Sequence, residues 1–253
     1  MTDLTGKVAL ITGAGQGVGQ GIALALSAAG AAVVVTGRTL EKVENTAQTI
    51  RERGGKALAL SCNVKSAADL STIVDATVKE FGGLDILVNN AQEVPLGKLD
   101  DVTDEAFIAG FESGPLATHR LMKLAHPIMV KRGGGTIFNL CSSAGIRWDM
   151  TGYGAYAAVK QAIRSLTRAA AAEWGREGIR VLTIAPHAES PGLKGWIEAR
   201  PAEAAEFFKT IPLGRVGTLE GDIGGAIVGL CDPQMGYLTG ATIPLDGGQA
   251  NFD

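Results

Sequence analysis

The chain has 253 residues, 46% hydrophobic and 19% charged, with a formal net charge of -3. That suits one large domain or two small ones with a substantial core, and it excludes a disordered chain. There is no basic footprint for nucleic acid, and no apolar run approaches the ~20 residues that cross a bilayer.

The start, MTDLTGKVALITG, carries an early acid and has no signal-peptide layout. Cys62, Cys141 and Cys231 are scattered without C-x-x-C spacing, and His119, His126 and His187 form no metal-ligand spacing. Neither a disulfide framework nor a metal site is expected; buried thiols in a reducing cytoplasm are.

In chain order, KVALIT (7–12) reads as a first strand. VGQGIALALSAAG (18–30) reads as a helix closed by Gly30, a residue suited to the left-handed C-terminal position. A strand (31–37), a charged-faced helix (39–55), a strand (57–64), a helix (67–83) and a strand (85–91) follow. Helical patterns cover about 103–112 and 115–131. Then come a strand (135–143), a helix (153–175) and a strand (179–186). The segment 187–217 reads as loop with short helical pieces, 220–231 as helix, and 240–248 holds the last strand. Strand–helix alternation without a linker or repeat predicts one α/β domain, a doubly wound parallel sheet covered on both faces. Ligands of such sheets bind outside the carboxyl ends of the strands.

The motifs fall at those ends. TGAGQGVG (12–19) follows the first strand and opens a helix. Gly13 permits a tight turn, Gly17 lets backbone approach a phosphate, and Gly19 lets helix and strand pack closely. The helix start offers free N–H groups and partial positive charge to a diphosphate. The second strand ends VTGR with no acid at Thr36 or Gly37. Arg38 instead offers a planar cation suited to a 2′-phosphate, the alternative being a surface arginine that caps a turn. This favours NADP(H) over NAD(H), while Gln16 adds no second positive charge.

Tyr156 lies four positions before Lys160 in YAAVK, so both share a helical face. A free tyrosine, pKa ~10, is a poor base at neutral pH. A neighbouring ammonium would lower that value and fit the phenol for acid–base work. Tyr153 has Ala157 at the same spacing and lacks the cation. NLCSSAG (139–145) adds serines at the end of a central strand.

Taken together, TGAGQGVG, NNA (89–91), NLCSSAG, YAAVK, IRVLTIAP and the closing PLGRVG…YLTGATIPLDGG resemble a short-chain dehydrogenase/reductase of the single-domain branch. The resemblance spans nearly the whole chain. It implies a Rossmann-like sheet of seven parallel strands and hydride transfer between a nicotinamide cofactor and a carbonyl or alcohol. It implies Tyr156 as proton donor or acceptor, with Lys160 lowering its pKa and holding the nicotinamide ribose. Ser142, three residues before Gly145, would steady the substrate oxygen. Asn90 and Ala91 would line the cofactor, Asn63 and Val64 would meet the adenine, and Val18 and Pro186 complete the expected cofactor set. A homodimer or homotetramer would form through the helices near 115–131 and 153–175.

The sequence departs from the family in places. NNAG reads NNAQ, with Gln92 in the last position, and the adenine-side acid is Asn63. The family's relay asparagine in N-x-x-G is Phe111 in FESG; PG after the sixth strand is Pro186-His187, and the usual threonine becomes Ser190 or Pro191. Retention of Ser142, Tyr156 and Lys160 favours an enzyme with an altered relay, with Glu112, Ser113 or a water taking over. The alternative is a cofactor-binding homologue with weak or no turnover; a third is a structural subunit of a hetero-oligomer. Trp196, Phe207 and Phe208 in a 187–217 lid, and Trp148, could wall an apolar ketone or secondary alcohol, or could pack on the protein itself.

Overall fold

Burial on both faces turns the short apolar runs into strands. The structure, a computed structural model describing residues 2–146 and 151–250, contains β1 (Val8–Thr12), β2 (Ala32–Gly37), β3 (Ala57–Ser61), β4 (Ile86–Asn89), β5 (Gly135–Leu140), β6 (Ile179–Pro186) and β7 (Thr242–Leu245). They form one sheet in the order β3-β2-β1-β4-β5-β6-β7, and every pairing is parallel. This is the doubly wound single domain that the alternation predicts, with the seven strands that the family resemblance implies.

Successive side chains of a strand point to opposite faces, and the core divides accordingly. Ala9, Ile11, Val33 and Val35 pack with Ile22 and Leu26 of α1 (Gly17–Ala28) and with Val43 and Ile50 of α2 (Leu40–Glu52). Leu10, Val34, Leu87 and Ile137 face the other way. They meet Leu70 and Ile73 of α3 (Ala67–Phe81) and Leu121 and Met129 of α5 (Ala117–Lys131). Between α3 and α5 lies α4 (Asp104–Phe111), and α6 (Gly154–Trp174) follows β5.

Helix ends follow local chemistry. The Ser66 hydroxyl accepts from Asp69 N at 3.2 Å to start α3, and Gly82, at φ 81°, ends it, as capping rules require. The two helical patterns expected near 103–112 and 115–131 are continuous, joined by a π-helical turn at Glu112–Leu116 that contains Pro115. Proline supplies no N–H to an i→i−4 bond, and a widened turn absorbs that loss. The segment 187–217 is more helical than its sequence suggests: α7 (Pro191–Ala199) and α8 (Pro201–Lys209) meet at Arg200. The last helical stretch combines a π-helical turn (Leu219–Gly224) with α9 (Gly225–Leu230). Among the described residues no helix is long and apolar enough to cross a membrane.

The strand order reverses its course between β1 and β4. Their two outgoing loops therefore part to opposite sides and leave a crevice at the carboxyl end of the sheet.

Candidate active site

The crevice begins at the glycine turn. Gly13 has φ 66°, and a Cβ there would sit 2.9 Å from both Ala91 Cα and Asn90 Nδ2. Gly19 lies behind the turn, where a Cβ would come within 2.5 Å of Gly13 O. Thr12 and Asn90 pin the two loops together. The Thr12 hydroxyl accepts from Asn90 N and Ala91 N at 3.0 and 3.1 Å. Asn90 Nδ2 donates to Thr12 O and Gly13 O at 2.9 and 3.1 Å. The result is a cavity of about 500 Å³ beside the start of α1. Gly13, Gln16, Gly17, Val18, Arg38, Asn63, Val64, Asn90 and Ala91 all line it. A glycine-walled groove at a helix N-terminus fits a dinucleotide diphosphate.

One end of the groove is charged. Arg38 Nη1 donates to Glu93 Oε1 at 3.0 Å, and Lys65 Nζ lies 3.3 Å from the same carboxylate. Lys42 Nζ donates to Gln16 Oε1 at 3.0 Å. Lys42 is thus a second cation on this wall, one the glycine loop itself does not provide. No local spacing marks it, because Lys42 lies in α2 and Arg38 lies before that helix. Asn63 lines the groove with its Oδ1 accepting from Lys65 N at 3.2 Å.

The groove continues into a second cavity of about 310 Å³. Val18, Asn90, Gln92 and Ser190 border both. Ser142, Tyr156, Lys160 and Pro186 line the second one. Because β5 stops at Leu140, Ser142 sits just past the strand end rather than within it. Tyr156 hydrogen-bonds the Ser142 side chain. Lys160 Nζ lies 5.4 Å from the centre of the Tyr156 ring and donates to Leu140 O at 2.8 Å.

Sequence spacing correctly places the cation beside the phenol, but the protein does not by itself lower the phenol's pKa. Burial pushes Tyr156 up to about 12, against the opposing Ser142 hydrogen bond. Burial draws Lys160 down to about 8, with the adjacent Cys141 acting the other way. Removal from water disfavours a phenolate and an ammonium alike. The lysine sits over the ring and spends a donor on a carbonyl, and the lowering influence on Tyr156 comes from Ser142.

Phe111 packs against Phe107 with ring centres 5.0 Å apart and planes tilted by 39°, and it borders neither cavity. Of the substitutes considered for the relay, Glu112 is exposed. The Ser113 hydroxyl is buried, donates to Ala109 O at 2.7 Å and accepts from Glu93 N at 3.0 Å. Ser190 caps α7, accepting from Leu193 N at 3.3 Å, and Pro191 borders the groove beside it.

In the 187–217 segment, Phe207 meets Trp196 and His187 edge-on at 5.6 and 5.3 Å, and Phe208 at 6.2 Å. These aromatics pack on one another, while Val94, Leu140 and Leu193 supply apolar wall to the second cavity. Trp148 lies outside the described residues.

The family model described as enoyl-(acyl carrier protein) reductase matches residues 13–250. The chain is 36% identical to a 12α-hydroxysteroid dehydrogenase of Clostridium sp., over 96% of each chain. The chain belongs to the short-chain dehydrogenase/reductase family. It is therefore an oxidoreductase of a family that uses nicotinamide cofactors. A galactitol 2-dehydrogenase of Agrobacterium fabrum is 35% identical, with 97% of this short-chain dehydrogenase/reductase and 98% of the relative covered. A solved 7α-hydroxysteroid dehydrogenase, complexed with NADH and 7-oxo glycochenodeoxycholic acid, superimposes with a TM-score of 0.91. Its sequence identity is 33%, and the match covers 98% of this chain and 96% of that one.

Proposed function

We propose that the protein is an NADP(H)-preferring oxidoreductase of a hydrophobic ketone or its secondary alcohol. The observation that carries this reading is the meeting of Ser142, Tyr156 and Lys160 in a cavity continuous with the glycine-turn groove. When bound, the nicotinamide supplies the hydride for reduction or accepts it in oxidation. Tyr156 gives a proton to the carbonyl oxygen in reduction and takes it back in oxidation. A phenol held near 12 is fully protonated at neutral pH, the form that reduction needs. The Ser142 hydroxyl holds the substrate oxygen at that phenol. Lys160 places a buried positive charge beside the ring and would hold the nicotinamide ribose, and added anionic ligand oxygens would favour its charged form.

The preference for NADP(H) is supported by Arg38 and Lys42 on one wall, two cations for a 2′-phosphate. The preference for an apolar substrate is supported by Val94, Leu140 and Leu193, with 187–217 as the cover. Leu96, Leu99, Ile108 and Leu116, in and around α4 and the turn before α5, are each exposed and support a homodimer or homotetramer. Free Cys62, Cys141 and Cys231 support a cytoplasmic location.

The test is spectrophotometric: oxidation of NADPH and of NADH by purified protein against a panel of ketones. Faster turnover of apolar cyclic or long-chain ketones with NADPH is expected, and preference for small charged oxo-acids would overturn the substrate assignment. The placement of Phe111 away from both cavities favours one second reading, a cofactor-binding homologue with weak turnover. Tight cofactor binding with no ketone reduced across the panel would establish it.

A further inference from the structure

Glu93 stands where the cofactor groove meets two cations from different loops. Arg38 follows β2, Lys65 follows β3 and Glu93 follows β4, so one carboxylate ties together three strand ends. Its own position is fixed from two sides. Glu93 N donates to the buried Ser113 hydroxyl at 3.0 Å, and its carboxylate receives Arg38 at 3.0 Å and Lys65 at 3.3 Å. Arg38 and Glu93 both line the groove. An acid that opposes a 2′-phosphate is sought at the end of the second strand, and none is there. The fold supplies one from the fourth strand instead.

We propose that Glu93 is a specificity-determining residue that competes with the cofactor's 2′-phosphate for Arg38. The inference rests on the NADP(H) reading above. A 2′-phosphate can gain the full guanidinium fork only by taking Arg38 from Glu93, and it then lies close to a carboxylate of like charge. A plain ribose hydroxyl makes no such demand and leaves the ion pair standing. Glu93 therefore narrows the margin between NADP and NAD. Lys65 keeps the displaced carboxylate paired, which holds the cost to that of one partly exposed ion pair. Lys42, whose partner is the neutral Gln16 amide, remains for the phosphate without competition.

The experiment is equilibrium binding by calorimetry of NADP+, NAD+, adenosine 2′,5′-bisphosphate and 5′-AMP. It uses the full chain, E93Q, R38Q and the double variant. E93Q should bind NADP+ and the bisphosphate about two- to fivefold more tightly, the range for one such pair, with NAD+ and 5′-AMP unchanged. In the R38Q background the gain should vanish, since Glu93 acts through Arg38; a merely structural role would not produce that dependence. Equal tightening of NAD+, unchanged NADP+ binding, or a gain that persists without Arg38 would overturn the proposal. R38Q separates its failure from that of the reading beneath it. If R38Q leaves the NADP+/NAD+ ratio unchanged, the NADP(H) reading falls. If R38Q collapses the ratio while E93Q leaves it unmoved, the role of Glu93 alone falls.

Discussion

The two ends of the sheet bury charge in opposite ways. At the amino end, Asp85 is 6% exposed and fully engaged. It accepts from Val8 N at 2.9 Å and from Arg132 Nε and Nη2 at 2.9 and 3.0 Å. At the carboxyl end, Lys160 is 4% exposed and lies beside a phenol, with a carbonyl as its hydrogen-bond acceptor. Gln92 Nε2 is buried nearby and has no acceptor among the described residues. A closed network balances desolvation with partners and fixes structure. An open one leaves donors and a shifted pKa facing a cavity, which is the condition for chemistry. Mutations at the two ends should therefore separate activity from stability.

The largest expected effect is at the open end. Tyr156→Phe removes the transferable proton and nothing of the ring, so ketone reduction should fall about 10²–10⁴-fold. The unfolding midpoint and NADPH affinity, read by denaturant titration and fluorescence, should stay near wild type. Unchanged turnover would end the assignment of the proton donor.

Asp85→Ala tests the closed end. It leaves Arg132 without its carboxylate and Val8 N without its acceptor. A loss of about 3 kcal/mol is expected in urea unfolding, the low side of the range for breaking a buried pair, because Arg132 is partly exposed and can rehydrate. The remaining folded protein should keep its kcat/KM. A selective loss of activity at unchanged stability would show that the amino end is not merely structural.

Gly19→Val probes the seam between the ends, where helix, strand and groove meet. A Cβ there lands 2.5 Å from Gly13 O, a backbone atom that cannot swing aside. About 1–3 kcal/mol of overpacking is expected, with the glycine turn displaced and NADPH binding weakened by about 5- to 150-fold if that cost falls on the bound state. Normal cofactor affinity would mean that the turn tolerates a shift.

These cases also show what the sequence makes legible. The parallel sheet and its two helix layers follow from near-continuous apolar runs alternating with amphipathic stretches, because the central strands are buried on both faces. The glycine turn and the Tyr156–Lys160 pair are local patterns with fixed spacing, and they land where spacing puts them. What escapes is nonlocal. Glu93 reaches Arg38 across 55 positions, and nothing near either residue announces it. The raised phenol is likewise invisible, since burial is a property of the packed cleft. Trp196 and Phe207 could have walled a substrate, and only their edge-on contact decides that they pack on each other. Lys42 escapes in the same way: it stands on α2, and only the fold sets it on the groove wall with Arg38.

The smallest expected change concerns pH and returns to the buried lysine. Burial moves Lys160 from its ordinary 10.5 to about 8, so the folded chain gives up that proton before the unfolded chain does. Below pH 8 both states carry it, and the cost of burying a cation is felt in full. Between about pH 8 and 10.5 the unfolded state binds more protons, and stability from this group rises with pH. Other groups work against it. Cys62 and Cys231, pushed up to about 12 from an ordinary 9.0, lower stability as pH climbs past 9, and Tyr156 does so past 10. The contribution must therefore be read as a difference, Tm of wild type minus Tm of Lys160→Met at each pH. That difference should climb by a few degrees from pH 7.5 to 10. Parallel curves would mean that Lys160 keeps its ordinary affinity for the proton inside the fold, and the contrast between a closed amino end and an open carboxyl end would lose its electrostatic basis.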